Sequence, residues 1–468
     1  MRPVGGEKAE DPVVEAERRN FPEVAGHPAR FSARRSTRWV LLAAAEAAYL
    51  ALAALPDART RLPAYLALGA AAGIVSLLAG SILSGSRPAF LILAAALFRA
   101  TLLVRSPDLS DDQRRYLWDA RVSAAGISPY AHAPDDPAVA RLAPEESARL
   151  PHRELPTIYP PVAQTAFALG SGGGRRPVML KALFAAADVA IVWLLVRLGA
   201  GFGAALYAFH PLPVLEIAGQ GHVDSLGVAL LLASLGLLAA RRSVLSGLAF
   251  ALSVLTKYVS LGAVLPVVRR GGMRWAVAAA LAAAAIWAAW SREGVSPAGS
   301  LGAYATRWEF NSVIYPGAVA LVRSADLPAR AKADFLDWKA RHGHPAWTAG
   351  VFPYFYDGFF ARALLGLGLG GVLAAIAWRV RDTANAVFAS LAALLLFAPT
   401  LHPWYVLWVL PFAAWKREPS FLWLSLAVPL AYGILYPMPG VAPQRLLAAE
   451  YVPFAALLAV TLFRRAPA

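Results

Sequence analysis

The chain has 468 residues, 58% of them hydrophobic and only 16% charged, with a formal net charge of +15 and no cysteine. An ordinary soluble domain carries about 25% charged residues. The composition therefore excludes a soluble enzyme, a disordered chain and a coiled coil, and predicts a polytopic membrane protein; the missing cysteines exclude disulfides, thiolate chemistry, iron–sulfur clusters and Cys-ligated zinc.

The positive charge is not a nucleic-acid signature. Basic residues form short clusters between apolar runs: Arg34, Arg35 and Arg38; Arg241 and Arg242; Arg269, Arg270 and Arg274; Arg379 and Arg381; Lys416 and Arg417; Arg464 and Arg465. That is the pattern of cytoplasmic loops, and no nucleic-acid partner is expected.

Residues 1–37 are polar and read as a disordered cytoplasmic tail without a cleavable signal peptide. Residues 38–468 read as one transmembrane domain. Apolar runs at 38–56, 64–84 and 88–104 are each long enough to cross a bilayer core of roughly 30 Å. Three spans starting inside bring the chain outside at Arg105. Residues 105–156 then form a first large outer loop with nine of the 29 acids and seven prolines. Within it, 111–126 has the composition of a helix lying on the membrane surface.

The run 158–169 is either a short span or a helix half-sunk in the outer leaflet. The arginines downstream favour no crossing, with 178–197 running in, 200–218 out and 224–240 in. The stretch 244–268 reads as a pair of short helices meeting at Thr256–Lys257, which keeps both flanking arginine clusters inside. Further runs follow at 275–291, 354–378, 384–401, 404–415, 420–437 and 444–463, with a second outer loop at 292–351. The expectation is 11 to 14 true spans, with no repeat of fixed period.

Polar groups collect on the outer face. In DDQRRYLWDARVSAAGISPY (111–130), Asp112, Arg115, Tyr116 and Asp119 share one helix face at i, i+3, i+4 and i+7. A carboxylate there can accept a hydroxyl proton, and the arginines can hold a phosphate. A solvated amphipathic helix with internal ion pairs explains the same spacing. In TIYPPVAQ (157–164), two prolines set a helix entry and Tyr159 sits at interface depth.

In GQGHVDS (219–225), His222 and Asp224 can relay a proton or bind a hydroxyl, but two ligands do not make a metal site. Asp224 is equally a candidate helix N-cap. Lys257, in LSVLTKYVSL, is costly inside a bilayer at about 2.5–3.5 kcal/mol. At the outer interface it can reach a lipid phosphate or snorkel to the headgroups. In LHPWYVLWVLP (401–411), His402 precedes Trp404, Tyr405 and Trp408, an aromatic belt that can also stack on a sugar or a prenyl chain. Glu46, Arg99, Asp188 and Glu216 lie within apolar runs and serve either the cavity or helix-to-helix contacts. No P-loop, Rossmann fingerprint, HExxH or GxSxG occurs.

Together, the acidic loop at 111–130, TIYPPVAQ, GHVDS, LTKYV and HPWY, in this order over residues 105–411, resemble the GT-C superfamily of polyprenyl-phosphate-sugar-dependent glycosyltransferases. Bacterial membrane mannosyltransferase-like proteins are the nearest likeness. Three spans precede the loop here, whereas many GT-C proteins place it after the first span.

The resemblance implies an all-α GT-C-like architecture with outer-face juxtamembrane helices, in a bacterial plasma membrane with the site facing outward. It implies transfer of a hexose, mannose by likeness, from a polyprenyl-phosphate donor to a lipid, glycan or protein acceptor. It gives the base to Asp112, with Asp111 second. Arg115 and Lys257 would hold the donor phosphate, and Tyr116, Asp119, Tyr159, His222, Asp224 and His402 would line the pocket. A divalent metal is left open and no metal ligand is assigned. The rival classes are a transporter or flippase of lipid-linked sugars and a non-catalytic scaffold. Polar residues gathered on one face argue against a transporter, whose site would lie at the midplane.

Overall fold

The computed structural model describes residues 35–291, 295 and 297–465, and these form helices joined by short connections. Among them no β-strand forms; Phe310 and Thr400 make an isolated parallel bridge. Six helices are long and apolar enough to cross a membrane, and shorter apolar helices of 10–17 residues lie beside them. The protein is an all-α polytopic membrane protein. The tail expected at 1–37 falls, through residue 34, outside the described residues.

Helices α1 (Arg35–Ala54), α2 (Leu62–Leu83) and α3 (Pro88–Leu103) match the first three apolar runs. α2 and α3 open with proline in the first turn, where a missing N–H costs no intrahelical bond. Helix α4 (Asp112–Ala124) follows a short loop. Helix α5 (Pro161–Gly170) has ten residues, a rise of roughly 15 Å and about half a bilayer core. It does not cross. It packs on α4, with Phe167 stacked on Tyr116 at a ring separation of 4.2 Å. The chain then enters α6 (Pro177–Arg197).

The single run expected at 200–218 is broken. Helix α7 (Gly201–Phe209) stops at His210, Pro211 and Pro213 follow, and a π-helical turn covers Val214–Gly219. Two prolines in series cannot supply the N–H groups that the preceding turn needs. Side chains take their place. Arg99 donates to the Ala208 carbonyl at 2.6 Å and Tyr49 to the Phe209 carbonyl at 2.7 Å. Asp188 pairs with Arg99 at 2.8 Å and accepts from Tyr207 at 2.6 Å. Arg99 and Asp188 thus belong to the helix break, away from the cavity.

Helices α8 (Asp224–Ala239) and α9 (Ser243–Val254) are clasped by the Ser234 and Ser246 hydroxyls at 3.0 Å, and α9 is the first of the two short helices expected within 244–268. The backbone is extended at Lys257 and turns through Tyr258–Ala263 into α10 (Val264–Trp290). Inside α10, Gly272 has φ 68° and ψ −168°, a conformation open to glycine and costly for other residues. The chain reverses there. Trp275 donates to Ser246 near the start of α9, at 3.2 Å, while Trp290 packs on Tyr130 beside α4. The apolar stretch 258–290 is therefore two arms.

The segment expected as an outer loop at 292–351 is largely helical where described, with Leu301–Arg307, α11 (Tyr315–Ser324) and α12 (Leu327–His342). Helices α13 (Asp357–Arg379), α14 (Thr383–Phe397), α15 (Leu410–Lys416), α16 (Pro419–Ala427) and α17 (Pro443–Arg465) complete the bundle. The runs at 404–415 and 420–437 are not continuous helices. Pro403 and Pro429 stand in 3₁₀ turns, Pro403–Trp408 and Val428–Ala431, for the steric reason that broke α7.

The basic clusters meet at one end. Arg269 donates to the Trp378 carbonyl at the C-terminus of α13, at 3.0 Å, and Lys416 pairs with Asp382 at 3.3 Å. Arg270 lines a small cavity with Leu238 and Ala239, next to Arg241 and Arg242. Cations placed at helix C-termini also offset the helix dipole. Asp112, His222, Lys257 and Trp290 lie at the opposite end.

Candidate functional site

The loop before α4 is fastened to the π-helical turn by one side chain. The Gln220 Oε1 accepts from the Asp108 and Leu109 N–H groups at 3.1 and 3.0 Å, and its Nε2 donates to Asp108 at 3.0 Å. Asp108 is also ion-paired to Arg105, and Lys181 donates to the Leu102 carbonyl at the end of α3. Gly221 follows with φ 82°, where an added Cβ would stand 3.2 Å from Gln113 and Lys181. That left-handed step turns His222 toward the first residue of α4.

Asp112, His222 and Glu216 stand in line. The Asp112 Oδ2 is 3.5 Å from His222 Nδ1, and the Glu216 Oε2 is 3.4 Å from His222 Nε2. Both are ion-pair distances, slightly long for hydrogen bonds. Tyr432 donates to both Glu216 oxygens at 3.0 and 2.9 Å. Glu216 and His222 are fully buried, whereas the Asp112 side chain keeps 31% of its surface, turned to the cavity.

Burial disfavours the imidazolium, but the two facing carboxylates outweigh it and push the His222 pKa from 6.5 up to about 9. Burial likewise raises Asp112, but His222, then Lys257 and His402, bring its carboxyl below the ordinary 3.8. The imidazolium thus keeps Asp112 ionised in surroundings that would otherwise protonate it.

A second ion pair lies beside the first. Lys257 donates to Asp224 Oδ1 at 2.7 Å, and Trp408 Nε1 donates to the same oxygen at 2.6 Å. The ammonium stands 4.6 Å above the Tyr405 ring, a favourable cation–π arrangement. The N-cap alternative for Asp224 is corrected. Val223 occupies the cap, and Asp224 opens α8 with its carboxylate committed to Lys257 and Trp408.

Four rings form a continuous stack. Phe310 lies on His402 at 4.8 Å, His402 on Trp404 at 4.4 Å, and Trp404 on His222 at 3.9 Å with 16° between the planes. Burial lowers the His402 pKa to about 4, so this ring is neutral where His222 is charged. Next to the stack is a cavity of about 130 Å³. Asp111, Asp112, Arg115, Lys257, His402 and Trp404 are among its lining residues, and Tyr159 forms part of its wall.

Most of the residues singled out in the sequence meet here. Asp111 is pulled aside by Arg114 at 3.3 Å and Arg59 at 3.8 Å. Arg115 donates to Asp119 at 2.8 Å and to the Leu155 carbonyl at 3.1 Å. Asp119 is buried, also accepts from Gln164 at 2.9 Å, and does not line the cavity. Tyr116 is buried behind Asp112, with its hydroxyl 3.4 Å from that carboxylate.

Sequence reading passed over Glu216 as a partner of His222, because the break that aims it inward becomes visible only with the helix ends. In sequence Trp404 and Tyr405 read as a membrane belt that can also stack on a sugar or a prenyl chain, and their spacing after His402 is the signal available. Both His222 nitrogens face different carboxylates, and among the described residues no three His, Asp or Glu side chains converge on one point.

An ionised carboxylate on a cavity wall, backed by an imidazolium and flanked by an ammonium and a guanidinium, can deprotonate a hydroxyl while holding an anionic leaving group. No curated protein and no solved structure matches the chain. A family model described as the N-terminal domain of alpha-(1->6)-mannopyranosyltransferase matches residues 32–271, just over half of the sequence. The match contains Asp112, Glu216, His222, Asp224 and Lys257 and ends before the aromatic stack contributed by His402 and Trp404. The chain belongs to the alpha-(1->6)-mannopyranosyltransferase family.

Proposed function

We propose that this protein transfers mannose from a polyprenyl-phosphate donor to an acceptor hydroxyl in the cavity beside Asp112, on the non-cytoplasmic face of a bacterial plasma membrane. The carrying observation is the Asp112–His222–Glu216 line, which sets an ionised carboxylate against the cavity. An acceptor oxygen attacks the anomeric carbon, the bond from that carbon to the phosphate oxygen breaks, and polyprenyl phosphate leaves with the electron pair. The hydroxyl proton passes to Asp112. Lys257 and Arg115 face the departing phosphate, and Trp404 and His402 offer flat surfaces to the sugar. The family description suggests an alpha-(1->6) linkage, and an envelope lipid or glycan is the proposed acceptor. The basic clusters at the other end, which the positive-inside rule assigns to the cytoplasm, support the outward face.

The test is reconstitution in lipid with mannosyl polyprenyl phosphate, glucosyl polyprenyl phosphate and a nucleotide sugar. Mannose transfer with release of polyprenyl phosphate is the expected result. Transfer from the nucleotide sugar alone, or donor translocation without transfer, would overturn the reading.

A further inference from the structure

Helix α4 also faces a second cavity, on the side away from the aromatic stack. It has a volume of about 570 Å³ and lies between α4, the short helix Pro144–Arg149 and the turn before α6. Arg114 and Arg121 of α4 line it, with Arg149 and Arg175, and Glu146 is the one carboxylate among its lining residues. Glu146 is taken by Arg121 at 3.0 Å. Arg114 leans on Asp111, and Arg149 on Glu145 at 3.7 Å, both outside the lining set. Arg175 has no ion-pair partner among the described residues.

The depth of this cavity in the molecule is marked on both sides. Pro177 lines it and is the first residue of the membrane-crossing α6. Leu169, Val178 and Met179, next to it in the chain, are exposed by 77%, 48% and 49%, an apolar surface suited to hydrocarbon. Its floor is apolar, from Leu117, Leu150 and the buried Trp118. Guanidinium groups bind phosphate oxygens in a two-pronged geometry. Four of them, three leaning on carboxylates and Arg175 on none, above an apolar floor and at the level where hydrocarbon meets headgroups, select an anion that carries an apolar body.

We propose that this cavity binds the phosphate headgroup of an anionic membrane phospholipid, separately from the catalytic cavity. The proposal does not rest on the transfer reaction, and its readout is binding. Purified full-length protein is titrated with phosphatidylglycerol and with phosphatidylcholine and examined by native mass spectrometry, as wild type and as the double variant Arg149→Gln/Arg175→Gln.

A basic residue near a membrane surface strengthens anionic-lipid binding roughly fivefold, so the double variant should lose phosphatidylglycerol affinity by roughly 30-fold. Phosphatidylcholine retention should be unchanged. Should the double variant fail to fold, Arg175→Gln alone carries the test, with a loss of roughly fivefold, since removing that guanidinium strands no carboxylate. Equal phosphatidylglycerol retention in variant and wild type would overturn the proposal. Displacement of the lipid by equimolar inorganic phosphate would also overturn it, by reassigning the cavity to a free anion.

Discussion

The Asp112 carboxylate and the His222 imidazole stand 3.5 Å apart, one exposed to a cavity and the other sealed from it. The buried partner carries the charge that lets the exposed one stay ionised. This pairing separates the two acids that open α4. Asp111 is held by Arg59 and Arg114, while Asp112 faces the cavity with His222 behind it.

Asp112→Asn keeps size and polarity but removes the base. Turnover should fall by roughly 10²–10⁴, with little change in donor affinity, because in the proposed transfer the carboxylate acts on the acceptor in the transition state. Asp111→Asn should be far milder. Steady-state kinetics in lipid check this, and full activity in Asp112→Asn would remove it as the base.

The pH dependence follows from His222. Its folded pKa of about 9 lies above the ordinary 6.5, so its stabilising contribution is complete below about 6.5 and disappears as pH rises through 9. The Asp112 pKa is lowered, so its contribution is present above the ordinary value and is lost only in strong acid, as pH falls through the folded pKa. Stability should therefore fall on the alkaline side near pH 9, and His222→Gln should remove that limb from the profile of melting temperature against pH.

Trp404 lies flat on the charged imidazole. A cation–π contact is worth about 0.5–2 kcal/mol, and one pKa unit corresponds to about 1.4 kcal/mol. Trp404→Leu should therefore move the alkaline limb down by less than about 1.5 units, and Trp404→Phe by less again. An unmoved limb in Trp404→Leu would confine the ring to sugar stacking.

Lys257→Met removes the partner of a fully buried carboxylate. Breaking such a pair costs about 3–5 kcal/mol, which should appear as a lower melting temperature. Lys257→Met/Asp224→Asn should recover the stability and still bind donor weakly. Restored donor affinity in the double variant would show that Lys257 serves folding alone.

The absence of cysteine makes topology directly testable. Glu154 is exposed near the site end, and Gly85 has no neighbour within 4 Å of an added Cβ and adjoins the basic end through Ser84 and Gly201. Glu154→Cys should react with a membrane-impermeant thiol reagent in intact cells, and Gly85→Cys only after permeabilisation. The reverse labelling would invert the topology.

The sequence by itself determined the membrane class, the starts of the long helices, the break at Thr256–Lys257 and the separation of basic clusters from polar motifs. These follow from local quantities: apolar run length, proline position and charge. The spacing of Asp112, Arg115, Tyr116 and Asp119 likewise placed them on one helix face, because that periodicity belongs to the helix itself.

Tertiary structure alone decided which of those residues touch. Glu216 reads as one acid in an apolar run until Pro211 and Pro213 break α7 and a π-helical turn aims it at His222. Asp224 reads as a helix cap until α8 and α9 bring it to Lys257 and Trp408. Trp404 reads as an interfacial anchor until it enters a stack between His402 and His222. In each case the partner lies on another element. The contact depends on the helix ends and crossings of the whole bundle, which no local pattern encodes.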